Sequence, residues 1–296
     1  MLIGLAMPLP AYTIDPAFMA RNAERLGFDS VWYAEHPAVP VESASPFPAT
    51  GGAIPWTYSH FTDPYIALAR ASAVTTKLKL GTGITLVPQR NPLLLAKEIA
   101  ALDLHSGGRF IFGIGTGWLK EEVEMFGGNF PRRWTQTREA LDVMKALWTQ
   151  DAAEFHGEFF DFPPVRSYPK PAQKPHPPIV IGGSAKNVLK RIVDHADGWL
   201  PNRVTPADLE KSPQGARSAG LGVRPRSQVD HHLGLRAGAQ ERHRAAALRC
   251  RSRSCGRACH PRRDGSRDGC AAGANGRSGA LEKVAAALGV PFLARV

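Results

Sequence analysis

The chain has 296 residues and a formal net charge of +11, a balance that first suggests a nucleic-acid or membrane-surface partner. Residues 1–211, however, hold 21 basic and 21 acidic side chains, so the whole excess lies in residues 212–296, where 16 basic residues stand against 5 acidic ones. With no apolar run of about 18 residues and no positively charged leader at Met1-Leu2-Ile3-Gly4-Leu5, the expectation is a soluble, cytoplasmic protein with no membrane or nucleic-acid partner and no structural disulfides.

Residues 2–9 form a continuous apolar run suited to a buried parallel strand, and residues 15–26 follow with helical spacing, opened by Asp15-Pro16 and closed by Gly27. A second strand over 28–33 ends in Ala34-Glu35-His36. The stretch 37–63 is rich in Pro, Ser, Gly and aromatic residues and is long for a connection, which favours a lid. A helix over 64–75 leads to a strand over 79–87, an amphipathic helix over 91–105 and a strand over 109–114: one βαβ unit, whose strands carry Gly81-Thr82-Gly83 and Gly115-Thr116-Gly117. A parallel strand returns only through such a crossover. Further on come a helix over 135–149, a Pro-rich excursion over 155–178 holding a small hairpin, a strand over 178–181, a helix over 185–196 and a strand over 198–200. Strand and helix alternate throughout, which predicts an α/β fold with a parallel sheet, a TIM barrel complete through its sixth strand.

Barrel enzymes carry their chemistry at the carboxyl ends of the strands, and candidate groups collect there. Glycines at Gly81, Gly83, Gly115 and Gly117 either make tight turns or leave bare backbone against which a flat ligand can lie. Gly182-Gly183-Ser184, between a strand and a helix, reads either as a phosphate seat or as a plain turn with a serine cap. His36 is either a proton carrier near neutral pH or a hydrogen-bonded structural residue. Glu35 beside it orients a ligand or points the other way, since neighbouring strand residues face opposite sides. Trp118 is a wall for a planar ring or a core side chain. The glycines miss the Gly-x-Gly-x-x-Gly spacing of a dinucleotide fold, and no metal-ligand pair or phosphate loop stands out in residues 1–211.

Taken together, Asp29-Ser30-Val31-Trp32-Tyr33-Ala34-Glu35-His36, Leu80-Gly81-Thr82-Gly83-Ile84, Asn91-Pro92-Leu93-Leu94-Leu95-Ala96-Lys97, Ser106-Gly107-Gly108-Arg109-Phe110, Gly113-Ile114-Gly115-Thr116-Gly117-Trp118 and Pro177-Pro178-Ile179-Val180-Ile181-Gly182-Gly183 resemble the luciferase-like monooxygenase superfamily, and within it the branch that uses a deazaflavin coenzyme. The resemblance runs from about residue 1 to residue 209. It implies a (β/α)₈ barrel with the cofactor ring at the strand ends and a non-proline cis peptide at Gly83-Ile84. It implies His36 beside the reacting ring, and ring support from Glu35, Gly83, Ile84 and the turn of Gly115, Thr116, Gly117 and Trp118. Gly182, Gly183 and Ser184 then hold the phosphate. The implied activity is hydride transfer or monooxygenation on a small-molecule substrate, with reduced FMN and a partner reductase as the alternative; the oligomeric state is left open, a homodimer being one option. Some deazaflavin-dependent relatives carry a proton-donating Glu directly after the Gly-Thr-Gly; Trp118 stands there in this chain.

Residues 212–296 read differently. Arg, Ala, Gly, Ser, Pro and Cys dominate over 221–280, without strand or helix periodicity, as expected of GC-rich DNA translated out of frame. Asp230-His231-His232-Leu233 must be encoded GAY-CAY-CAY followed by CTN or TTR, and a shift of one nucleotide gives three codons for Ile or Thr. The same shift across 249–255 permits Gly-Val-Asp-Arg-Val-Leu-Val, similar to the eighth strand of the family. The expected division is thus a barrel over 1–211 and a basic, out-of-frame tail over 212–296, with an inactive product as one consequence. Other readings are a zinc site built on Cys250, Cys255, Cys259, His260 and Cys270, whose spacing fits no usual pattern, and a basic arm for nucleic acid.

Overall fold

Asp15, Asp63 and Asn91 each precede a proline, and each starts a helix. In the structure, a computed structural model that describes residues 3–202, Asp15 Oδ1 accepts from the Ala17 N–H at 2.6 Å, Asp63 Oδ1 from the Tyr65 N–H at 2.8 Å, and Asn91 Oδ1 from the Leu93 N–H at 2.9 Å. Proline at the first helical position sacrifices no hydrogen bond, because that N–H has no partner within the helix. The cap side chain satisfies an N–H just beyond it. The helices are α1 (Pro16–Leu26), α2 (Pro64–Ser72) and α3 (Pro92–Ser106).

Strands alternate with them: β1 (Gly4–Met7), β2 (Ser30–Tyr33), β3 (Lys79–Thr82), the short β4 (Thr85–Leu86) and β5 (Phe110–Gly115). After α4 (Lys120–Met125) and α5 (Arg133–Thr149) come the antiparallel hairpin β6 (Ala153–His156) and β7 (Asp161–Val165), then β8 (Ile179–Gly182), α6 (Val188–His195) and β9 (Gly198–Leu200). The main sheet is parallel in the order β1-β2-β3-β5-β8-β9, with β4 also on β5. Apart from the hairpin, and with β3 and β4 both paired to β5, each strand lies beside the next in the chain, as in a (β/α) barrel. The expected α/β fold and its first six barrel strands are therefore present. The seventh and eighth strands, the shifted frame, the zinc reading and the basic arm all fall on residues outside those described.

Alternation along the strands separates two faces. Val31, Tyr33, Phe110, Phe112, Ile114 and Ile179 point outward into the main core beneath the helices. The inward positions carry Trp32, Val180 and, as a part-buried neighbour, Ile111, a smaller cluster that Leu200 and Ile84 complete. Gly81, Gly113, Gly115 and Gly182 share this inner face by the same alternation.

Three local expectations need correction. The strand expected over 79–87 is broken. Gly81 lies opposite Ile111 and Thr85 opposite Ile114, four steps against three, so one extra residue bulges between β3 and β4. The Gly83-Ile84 peptide inside the bulge is cis, as the resemblance implies. Thr82 fills the gap with its side chain, Oγ1 donating to Gly113 O at 2.7 Å and accepting from the Gly113 N–H at 2.9 Å. Second, α6 starts at Val188, not Ala185, so three residues separate Ser184 from the helix. Third, the six-residue α4 is too short to show a period and was not expected.

Candidate active site

Both Gly-Thr-Gly tripeptides and Gly182-Gly183 stand at the carboxyl ends of neighbouring strands, but several glycines serve a purpose other than the one expected. A β-carbon on Gly81 would lie 2.2 Å from Trp32 Cε3, one on Gly115 1.8 Å from Ile84 Cδ1, and one on Gly182 2.7 Å from Ile84 Cγ2. The missing β-carbons admit the protein's own side chains. Ile84 is seated between β5 and β8 and, like Gly83, Thr116, Gly117 and Trp118, is half-buried. Gly115→Ala should accordingly destabilise the chain by about 1–3 kcal/mol through overpacking, and Ile84→Val, which removes the offending Cδ1, should suppress most of that loss. Urea unfolding of the two single variants and the double variant measures this; an equal cost of Gly115→Ala in both backgrounds would contradict the contact.

His36 follows β2, and its side chain is 7% exposed. Its Nδ1 lies 2.8 Å from Oε2 of Glu122 on α4, a side chain with no exposure at all. Glu122 Oε2 also accepts from Gln89 Nε2 at 3.3 Å, and its Oε1 accepts from the Ala38 N–H at 3.4 Å. Aromatic rings enclose the imidazole: Tyr58, Phe61 and Trp118 have centroids 5.1, 6.2 and 5.7 Å away. Phe47 touches both Tyr58 and Trp118. Tyr58, Phe61 and Phe47 all belong to the stretch 37–63, which therefore folds over His36 as a lid.

Glu121, next to Glu122, fastens that lid. Its carboxylate accepts from the Ala44 N–H at 2.8 Å, the Ser45 N–H at 3.2 Å and the Ser45 hydroxyl at 2.7 Å. The Ser45 hydroxyl chiefly, with backbone N–H groups, pulls its carboxyl from the ordinary 4.5 down to about 2. A lowered carboxyl favours the folded arrangement above the ordinary value and loses that effect as pH falls through the lowered one. Amide exchange at Ala44 and Ser45 should thus be slowed by Glu121 at pH 5, with the protection fading between about 4.5 and 2. In Glu121→Ala both amides should exchange faster at pH 5, and unchanged exchange there would rule out the latch.

Glu35 points away from His36. Burial raises its carboxyl above the ordinary range, with Arg90 opposing. Its Oε2 accepts from the Leu86 N–H at 2.6 Å, and its Oε1 takes Arg90 Nε at 2.7 Å together with Arg90 Nη2. Arg90 also reaches Asp63 at 2.8 Å and Glu98 at 3.4 Å. Oε2 of Glu35 thus holds β4 through the Leu86 N–H and Oε1 holds Arg90, so both oxygens are engaged within the protein.

At the expected phosphate seat one backbone N–H is already engaged. The Gly183 N–H donates to Leu200 O at 3.1 Å and is not free for an anion, whereas a β-carbon on Gly183 would meet nothing within 4 Å. Ser184 is exposed. Arg133 adds a positive charge that the sequence reading missed: its Nε donates to Gly117 O at 3.1 Å and its Nη1 to Phe130 O at 2.7 Å, which places a guanidinium beside the Gly115–Trp118 turn. Among the described residues no group of three or more His, Cys, Asp or Glu side chains could hold a metal ion. No described helix is long and apolar enough to cross a membrane.

Comparison with known proteins bears on the family and the fold. The model of the family described as luciferase-like monooxygenase matches residues 17–289. The chain is 41% identical over 211 residues to Uncharacterized protein Rv0953c of Mycobacterium tuberculosis, covering 70% of this chain and 73% of that one. It is 30% identical over 188 residues to an F420-dependent glucose-6-phosphate dehydrogenase of Amycolatopsis mediterranei, covering 61% and 51%. Over 128 residues it is 37% identical to an FMNH(2)-dependent dimethylsulfone monooxygenase of Pseudomonas putida, covering 41% and 35%. Among solved structures, monooxygenase RslO1 of Streptomyces bottropensis superimposes with a TM-score of 0.57 at 27% identity, covering 74% and 67%. An F420-dependent secondary alcohol dehydrogenase superimposes with a TM-score of 0.56 at 25% identity, covering 74% and 66%.

Proposed function

The chain belongs to the luciferase-like monooxygenase family, and from that premise we propose that it is an oxidoreductase using the deazaflavin coenzyme F420 to exchange a hydride with a small alcohol or carbonyl compound. The observation that carries this reading is His36, an enclosed imidazole at a strand end, tied through Nδ1 to the buried Glu122. The Amycolatopsis relative and the secondary alcohol dehydrogenase, both F420-dependent, support it.

The residues at the mouth fit a flat ring with an anionic tail. Ile84, propped by Gly115 and Gly182, would give the ring an apolar rest, with Thr116, Gly117 and Trp118 as its border. Ser184 and the guanidinium of Arg133, which lies beside the Gly115–Trp118 turn, would hold a phosphate. When bound there, the coenzyme supplies a ring carbon that takes up or gives back two electrons as hydride. In alcohol oxidation the substrate C–H bond breaks with its electron pair leaving as hydride, and the O–H proton goes to Nε2 of His36. Tyr58, Phe61 and Trp118 keep bulk water from the reacting atoms, and the Glu121 latch holds the lid that carries the first two.

The Pseudomonas relative favours a second reading, a reduced-FMN monooxygenase supplied by a separate reductase. Anaerobic fluorescence titration of the full chain with F420 and with reduced FMN separates the two. Saturable binding of F420 is expected. Binding of reduced FMN alone would move the assignment to the second reading, and binding of neither would overturn both in favour of an inactive product.

A further inference from the structure

We propose that Glu122 is the positioning residue of the site: it sets which nitrogen of His36 carries the proton and so makes Nε2 the acceptor. The proposal rests on the reading of His36 given above. An ionised carboxylate only accepts hydrogen bonds, so with Glu122 in that form the 2.8 Å contact between its Oε2 and His36 Nδ1 puts the proton on Nδ1. Nε2 of a neutral imidazole is then the lone-pair end. A buried partner that orients the ring and fixes its tautomer is what a proton-accepting histidine needs.

Two neighbours hold Glu122 in this arrangement. The Ala38 N–H approaches Oε1 and the amide of Gln89 approaches Oε2, so both oxygens face donors. Gln89 must present its Nε2 to Glu122, and its own Oε1 is left buried without a hydrogen-bond partner among the described residues. An orphaned buried acceptor is unfavourable. Its persistence here follows from Glu122 being an acceptor on both oxygens.

The same detail predicts what Glu122→Gln does. The Ala38 N–H keeps the new carbonyl oxygen at the Oε1 position, which puts the new NH₂ group toward His36 Nδ1. Gln89 then turns over and offers its formerly orphaned Oε1 to that NH₂. The amide donates to Nδ1, the proton moves to Nε2, and the imidazole can no longer accept a proton from the substrate. The volume of the side chain is unchanged.

The test is a long-range ¹H–¹⁵N spectrum of His-labelled, coenzyme-free full chain, recorded for wild type, Glu122→Gln and Glu122→Asp, with steady-state kinetics of the same three proteins. Wild type should show His36 with the proton on Nδ1, and Glu122→Gln should show it on Nε2, with kcat down about 10²- to 10⁴-fold and KM little changed. Glu122→Asp, still a carboxylate, should keep the Nδ1 proton and recover much of the rate. Should Glu122→Gln fail to fold, an Nδ1 proton in wild type that is lost in a folded Glu122→Ala carries the same conclusion. A wild-type proton on Nε2, or an unchanged tautomer and kcat in Glu122→Gln, overturns the proposal. If wild type lacks activity but the tautomer reverses as stated, the enzymatic reading fails and the role of Glu122 in setting the ring stands.

Discussion

His36→Asn should lower kcat by about 10²- to 10⁴-fold, the contribution of a positioned proton carrier, while F420 still binds. Asparagine is the informative substitution because its amide N–H lies where Nδ1–H lay, so Glu122 keeps a donor and no buried carboxylate is left alone. What disappears is Nε2. The imidazole is enclosed by Tyr58, Phe61 and Trp118, so a water molecule is a poor substitute for it. Stopped-flow traces at saturating coenzyme isolate the hydride step, and a rate within threefold of wild type would remove His36 from the mechanism.

Arg90→Met should destabilise the fold by about 3–5 kcal/mol, the usual cost of leaving one partner of a buried pair uncompensated. Glu35 is 4% exposed and relies on Arg90 for two of its hydrogen bonds. Burial already raises its carboxyl above the ordinary 4.5. A raised carboxyl favours the folded state at low pH and penalises it as pH rises, so the deficit of Arg90→Met should be smallest below that value and grow toward neutrality. The double variant Glu35→Met, Arg90→Met should recover most of the loss, short of about 1 kcal/mol for the bond from the Leu86 N–H. Urea unfolding at two pH values decides the matter. A single-variant loss below 1 kcal/mol, or one that is independent of pH, would show that the pair does not hold β4.

Much of the barrel was legible because its signals are local. Asp15-Pro16, Asp63-Pro64 and Asn91-Pro92 announce helix starts within two residues, and Gly27 and Gly107 announce stops at left-handed φ of 84° and 73°. Apolar runs such as Phe110–Gly115 identify buried strands. The glycines on the inner face were legible as positions but not in meaning, since a sequence shows that a β-carbon is missing and not which neighbour takes its place. Ile84 in the slot at Gly115 is such a case. Glu35 and His36 are adjacent, and the alternation of strand residues separates their directions without saying which one meets the ligand. Glu122 was missed because it lies 86 positions from His36 on a helix of six residues. The one local hint, acidic residues in a first helical turn, reads as ordinary dipole compensation.

The most direct measurement is a single-turnover reaction in which the full chain, loaded with oxidised F420, is mixed anaerobically with a panel of secondary alcohols while coenzyme absorbance is followed. The account predicts bleaching that saturates with alcohol and slows at least a hundredfold in His36→Asn. Equal rates of bleaching in wild type and His36→Asn, or coenzyme that neither binds nor bleaches with any alcohol, would contradict a hydride-transfer site built around Ile84 and His36.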